Sequence, residues 1–172
     1  MNLETSSPWP PENQQISSEE KNRELFVGKK YQSYYKEHFD QMASQQTTSG
    51  FNVGALFLGP IWMVYRKMYA YAAIYTVCMM VLGIFIELIG IPEALDQMIS
   101  IGVAVCLGIF GNKLYKTFVD KKIQKVTQTE SSTYLESALR QEGGTNLAAA
   151  LIIFIALTAL LATVIYFELQ GY

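Results

Sequence analysis

Polar and apolar positions in this chain are sorted into blocks. Residues 1–50 are mostly polar, with aromatics spaced among them. Three apolar blocks follow, at 68–91, 98–118 and 147–167. Each is about the 20 residues that a helix needs to cross a bilayer. The third contains no charged residue and only two threonines, Thr158 and Thr163. The pattern predicts an all-α integral membrane protein with three transmembrane helices, residues 51–172 forming the membrane domain.

A shorter apolar segment, 53–65, precedes the first block. A helix of that length reaches about 20 Å, less than the roughly 30 Å hydrocarbon core. Gly59-Pro60 interrupts it, and proline removes one helical donor. The segment is therefore expected to be interfacial or re-entrant, with Gly59 and Pro60 as a structural break that turns the chain. Trp62, Tyr65 and Tyr69, with the cations Arg66 and Lys67, are side chains that favour the headgroup boundary. Lys113, Tyr115 and Tyr166 fall near the ends of the second and third blocks and are expected to serve as the same kind of anchor.

The polar regions read as short helices on the cytoplasmic side. Pro8, Pro10 and Pro11 predict a disordered tail over 1–16. Residues 17–50 form a helical segment and linker. Ser17 and Glu20 have capping-box spacing, and Gly28 is placed to end that helix. Beyond it, Tyr31, Tyr34, Tyr35, His38 and Met42 recur at helical spacing and form one amphipathic stripe. Such a stripe lies either on lipid headgroups or on the inner ends of the spans. In the loop 119–146 a helix is expected over 133–141, opened by Ser131 or Ser132 and closed by Gly143-Gly144. Asn146 is expected to cap the third span.

Charge changes the picture by giving it a direction. All 13 Lys and Arg residues lie before the first span, at its start, at the end of the second, or in the loop before the third. The acidic turn 92–97 and the segment after 167 contain none. Positive flanks stay in the cytoplasm, so the N-terminus is expected inside and the C-terminus outside. Net charge is −2, which gives no basic face for nucleic acid. The polar, acidic start predicts no cleaved leader.

Candidate chemistry is sparse. Cys78 and Cys106 sit in separate apolar blocks and read as small hydrophobes. His38 is the only histidine, and no catalytic, cofactor or metal-ligand constellation appears. Glu87, about a turn from the outer end of the first span, and Asn112, near the inner end of the second, are weak functional candidates. Ala104, Gly108 and Gly111 are flat spots where a helix can come close, either the first span or a second copy of the chain.

Several motifs occur in a recognisable order. They are Leu25-Phe26-Val27-Gly28-Lys29-Lys30, Tyr34-Tyr35, Phe51-Asn52, Gly59-Pro60-x-Trp62-x-x-Tyr65-Arg66-Lys67-Met68, Gly111-Asn112-x-x-Tyr115, Lys121-Lys122-Ile123 and Gly143-Gly144-Thr145. Together they resemble the bacterial family catalogued as domain of unknown function 2628. Relatives often carry Trp where Val53 stands and His where Phe118 stands. The resemblance implies a small bacterial inner-membrane protein with a cytoplasmic N-terminal portion, and no established activity, cofactor or substrate. The function expected is that of a scaffold or accessory subunit that binds protein or lipid. A transport component is the alternative, and a membrane-bound enzyme comes third.

Overall fold

The computed structural model describes residues 12–44 and 50–170. The expectations for residues 1–11, the linker 45–49 and the end at Gly171-Tyr172 lie outside the described residues. Among the described residues the structure is helical, with no strand. Three of its helices are long and apolar enough to cross a membrane.

The first helix, α1, spans Glu12–Val27. It starts five residues ahead of the expected Ser17, so residues 12–16, expected to belong to a disordered tail, are helical. Gly28, at φ +77°, ends it as anticipated. A five-residue π-helical turn, Tyr31–Tyr35, leads into α2, Lys36–Ala43. The extra residue in that turn brings Tyr31, Tyr35 and Phe39 together on the buried side. The aromatic stripe therefore lies on protein: the Tyr35 ring is 4.8 Å from Tyr115 of a later helix.

The expected short segment forms α3, Val53–Tyr65, with its boundaries as read from the sequence. It is two half-helices meeting at Gly59, whose φ of 45° and ψ of −118° are not helical. Only glycine adopts such a backbone at low cost. Pro60 follows at the first position of the second half, where its missing N–H has no helical partner to lose.

The first long helix, α4, covers Tyr69–Ile89, and the third, α7, covers Leu147–Leu169. Their lengths, about 31 and 34 Å at 1.5 Å per residue, match the hydrocarbon core. The second, α5, departs from expectation. It is one helix of 37 residues, Glu93–Thr129. It absorbs most of the acidic turn at its start and 11 residues of the presumed loop at its end. Pro92 sits at its N-cap, so the turn tightens to Gly90–Pro92. The polar continuation holds because Phe118, Val119 and Val126 are buried on one face, with Ile123 partly so. A short α6, Leu135–Glu142, completes the set. The Ser131 backbone carbonyl, rather than a serine hydroxyl, accepts at its start.

α3 is the hub. It packs against α4, α5 and α7, while those three barely touch one another. This corrects the expected use of the small residues on α5. Gly108 and Gly111 receive α3 rather than α4. A Cβ on Gly108 would stand 2.8 Å from the Phe51 ring, and one on Gly111 2.8 Å from the Ala55 Cβ. Gly102 has open space beside it. The other helices, α1, α2 and α6, pack on the C-terminal half of α5 and form a head with its own core.

Candidate functional site

The residues singled out in the sequence converge where α3 ends, α4 begins and α5 passes behind both. Asn52 sets the geometry. Its side chain caps α3 by accepting from the Ala55 N–H at 2.8 Å. The same side chain donates through Nδ2 to Asn112 Oδ1 on α5, also at 2.8 Å. Asn112 Nδ2 in turn donates to the Tyr34 hydroxyl at 3.2 Å, and that hydroxyl donates to the Phe51 carbonyl at 3.2 Å. Both asparagines are buried, Asn112 completely. A buried amide without partners costs about 1–3 kcal/mol, so this chain of bonds fixes the register of α3 on α5 and on the turn before α2.

One turn further along α5 lies Tyr115, with no exposed surface. Its ring is packed by Tyr35, Trp62 and Phe118 at 4.8, 6.1 and 6.3 Å. Arg66 points into this aromatic group. Its guanidinium carbon is 4.6 Å from the Tyr35 ring centroid, 5.2 Å from Tyr115 and 5.4 Å from Tyr65. Arg66 is 5% exposed and forms no ion pair among the described residues. Its Nε and Nη1, and the Tyr115 hydroxyl, are buried without a hydrogen-bond partner among the described residues. The ring faces take the place of counter-ions, an arrangement stronger in a desolvated setting. Burial pushes the Tyr35 phenol up, and the Arg66 charge pulls part of that shift back. Burial also pushes Tyr31 up to about 12, against the pull of Arg23. Both phenols stay neutral at ordinary pH.

Three of the expected headgroup anchors are thus inside the protein. Trp62 and Arg66 are 5% exposed and Tyr115 is 0%. They pack against α2 and α5, which outcompete a headgroup layer for the same amphipathic side chains. Tyr69, Lys113 and Tyr166 are exposed, and Tyr65 and Lys67 partly so. Glu87 is exposed near the far end of α4, whereas Asn112 sits in the buried network at the head. The two weak candidates are not brought together. Cys78 and Cys106 are free thiols on exposed positions.

The region from α3 to α4 is also tied to the C-terminal part. Asn146 caps α7 by accepting from Ala149 N–H at 3.0 Å. It donates to Tyr69 Oη at 3.0 Å, and its backbone N–H donates to the Tyr65 carbonyl at 2.8 Å. Lys67, in the left-handed region at φ 60°, donates to the Gln141 carbonyl at 2.8 Å. Gly144 N–H donates to Phe26 O at 2.6 Å, joining the end of α6 to the end of α1.

Sequence reasoning missed Asn52 as the shared member of two bonds. The signal was present, since Asn is a favoured N-cap and Asn52 directly precedes an apolar helix. It also missed Asp120, which accepts from Arg23 on α1 at 2.9 Å and from Lys116 at 2.6 Å. Tertiary contact brings Arg23 to it, whereas Lys116 lies one turn away on the same helix.

The fold and this junction define an all-helical protein with three candidate membrane-crossing helices and a packed head. The family model described as "Protein of unknown function (DUF2628)" matches residues 14–121, well over half of the chain, and the protein belongs to that family. No curated protein and no solved structure matches it. The matched stretch contains the Asn52–Asn112 pair, Arg66 and Tyr115.

Proposed function

We propose that this protein is a multi-pass component of a bacterial inner membrane, with its head on the cytoplasmic face, acting by binding protein or lipid. The observation that carries the reading is the polarity of charge. The helices α4, α5 and α7 run alternately away from and toward the head. All 13 Lys and Arg residues lie in the head or at its junction with those helices. The connection from Gly90 to Pro92 and the first turns of α5 carry only Glu93 and Asp96. Cytoplasmic flanks retain Lys and Arg, and the sign of the asymmetry puts the head inside. In this setting α3 is a wedge that dips into the membrane from the head side. Its exposed Phe57 and Leu58 meet lipid, and its Gly59 bend returns the chain to the head.

The interaction role is supported by the form of the head. Its polar groups are spent on holding helices together: Arg23 on Asp120, Lys21 on Glu136 and Lys122 on Glu142. The reading is tested with reporters active only in the cytosol, fused to each end of the full chain. The N-terminal fusion should be active and the C-terminal fusion silent. Activity at both ends would overturn the orientation. So would release of the chain from membranes by alkaline carbonate.

A further inference from the structure

Beside the junction a groove of about 460 Å³ opens between the base of α4 and the polar half of α5. Four lysines line it: Lys67, Lys121, Lys122 and Lys125. Its floor is aromatic, with Tyr71 and Phe118 packed edge to face at 5.9 Å. Tyr69 and Ala70, at the first turn of α4, complete the wall.

Two of the cations are held in place. Lys67 is fixed by its bond to the Gln141 carbonyl, and Lys122 by an ion pair with Glu142 at 2.7 Å. Lys121 and Lys125 form no ion pair among the described residues. Among the described residues Glu142 is the one carboxylate paired to a groove lysine, so the groove keeps a positive excess. Its position is unusual for a charged surface. Tyr69 starts the apolar run of α4, and the exposed Ile74 and Val77 follow within two to three turns.

We infer that this groove binds the phosphate of an anionic phospholipid headgroup, the lysines meeting the phosphate while the acyl chains continue along exposed α4. The mixed lining selects that occupant. A soluble anion would satisfy the lysines and leave the aromatic floor and the apolar start of α4 without a partner. A lipid satisfies both, and basic clusters at the cytoplasmic ends of spans attract anionic headgroups. The inference rests on the membrane-inserted reading above.

The test uses the full chain in nanodiscs of phosphatidylcholine doped with phosphatidylglycerol, with retained lipid read by native mass spectrometry. Phosphatidylglycerol should be retained preferentially, and less so as salt is raised. The double substitution Lys121→Gln/Lys125→Gln should lower that retention about tenfold or more, at about 1 kcal/mol per lysine near a charged surface. Lys29→Gln/Lys30→Gln, two exposed head lysines outside the groove, should leave it unchanged. Equal retention of both lipids, or equal loss in both double variants, would overturn the inference. So would displacement of the lipid by inorganic phosphate beyond the loss that chloride causes at equal ionic strength, which would mark a site for the soluble anion. Carbonate extraction of the same preparations separates the two failures. A chain that leaves the membrane sinks the inserted reading. One that stays but shows no lipid preference sinks the groove alone.

Discussion

Phe26, Tyr31, Phe39 and Tyr115 in the head are each at or below 1% exposed, whereas Leu88 on α4 and Ile152 on α7 are 80% and 67% exposed. Both regions are rich in large apolar side chains, yet one buries them and the other displays them. The head behaves as a water-soluble core does, with apolar burial driving its assembly at about 1.5–3 kcal/mol for each large side chain. In the membrane setting proposed above, the long helices have no such drive toward one another, because lipid is as apolar as leucine. They are placed instead by what holds their bases: α3 wedged among them, Asn146 at the start of α7 and Asn112 within α5. Order in this chain is therefore made at one end and transmitted outward along stiff rods.

Glycines give the sharpest way to break that contrast. Gly143 is buried with the Phe26 backbone carbonyl against it, and any Cβ there would collide with that carbonyl. Gly143→Val should separate α1 from α6, also losing the Gly144–Phe26 bond, at a cost of about 3 kcal/mol or more, toward the upper end for overpacking. Gly102→Val on α5 meets nothing within 4 Å and should leave the unfolding midpoint of the head where it was. Denaturation in mixed micelles, followed by tyrosine and tryptophan fluorescence, reads both. If Gly102→Val proved as damaging as Gly143→Val, the spans would have a packing partner such as a second copy of the chain.

A smaller effect comes from the asparagine pair. Asn112→Leu keeps the volume but leaves Asn52 Nδ2 buried without its acceptor, and should cost about 1–3 kcal/mol. The comparison residue is Thr158, whose hydroxyl donates to the Ile155 carbonyl of its own helix. Thr158→Val should stay within about 0.5 kcal/mol of wild type. A double cycle with Asn52→Ala isolates the contact. Additive losses for Asn52→Ala and Asn112→Leu would mean that the two side chains are not coupled and that α3 is held on α5 by packing alone.

The same contrast explains what could be read from the sequence. The first and third spans, the limits of α3, the stop at Gly28 and the cap at Asn146 depend on local pattern: long apolar runs, a Gly in the left-handed region, an Asn before a helix. The head depends on groups far apart in the chain, such as Arg23 and Asp120 or Phe26 and Gly143. Tyr115 and Trp62 show the difficulty most clearly. An aromatic near cations at the end of an apolar block has the composition of a headgroup anchor and equally of a core residue beneath a polar helix. Only α1 and α2, folding over α5, decide between them. The extension of α5 was hidden by Asp120-Lys121-Lys122, which reads as a loop by composition. Phe118, Val119, Ile123 and Val126 carried the helical spacing through it.

The smallest expected effects are in pH, and their signs differ at the two ends of the scale. Tyr31 has a folded pKa of about 12 against an ordinary 10.0, and Tyr35 is raised as well. The folded head thus holds protons that the unfolded chain releases. Stability present below pH 10 should be lost as pH rises from about 10 toward 12. At the acid end, a bond from Lys21 lowers Glu136 and a bond from Lys122 lowers Glu142 below the ordinary 4.5. The folded head there binds fewer protons than the unfolded chain. Its contribution is complete above about pH 4.5 and declines as pH falls through the lowered values. Both carboxylates are exposed to solvent, where screening leaves such surface pairs little net worth. The acid loss should be the smaller of the two and should shrink further in high salt, which screens surface pairs but not buried phenols. Among the described side chains of α4 and α7, Glu87 is the one carboxylate, so the acid limb reports chiefly on the head. Melting the head while tracking total helicity at pH 4 and at pH 11 checks the assignment. Lys21→Met/Lys122→Met should abolish the acid limb and leave the alkaline one. Parallel loss of span helicity in the acid limb would mean that the long helices are held by the same carboxylates as the head.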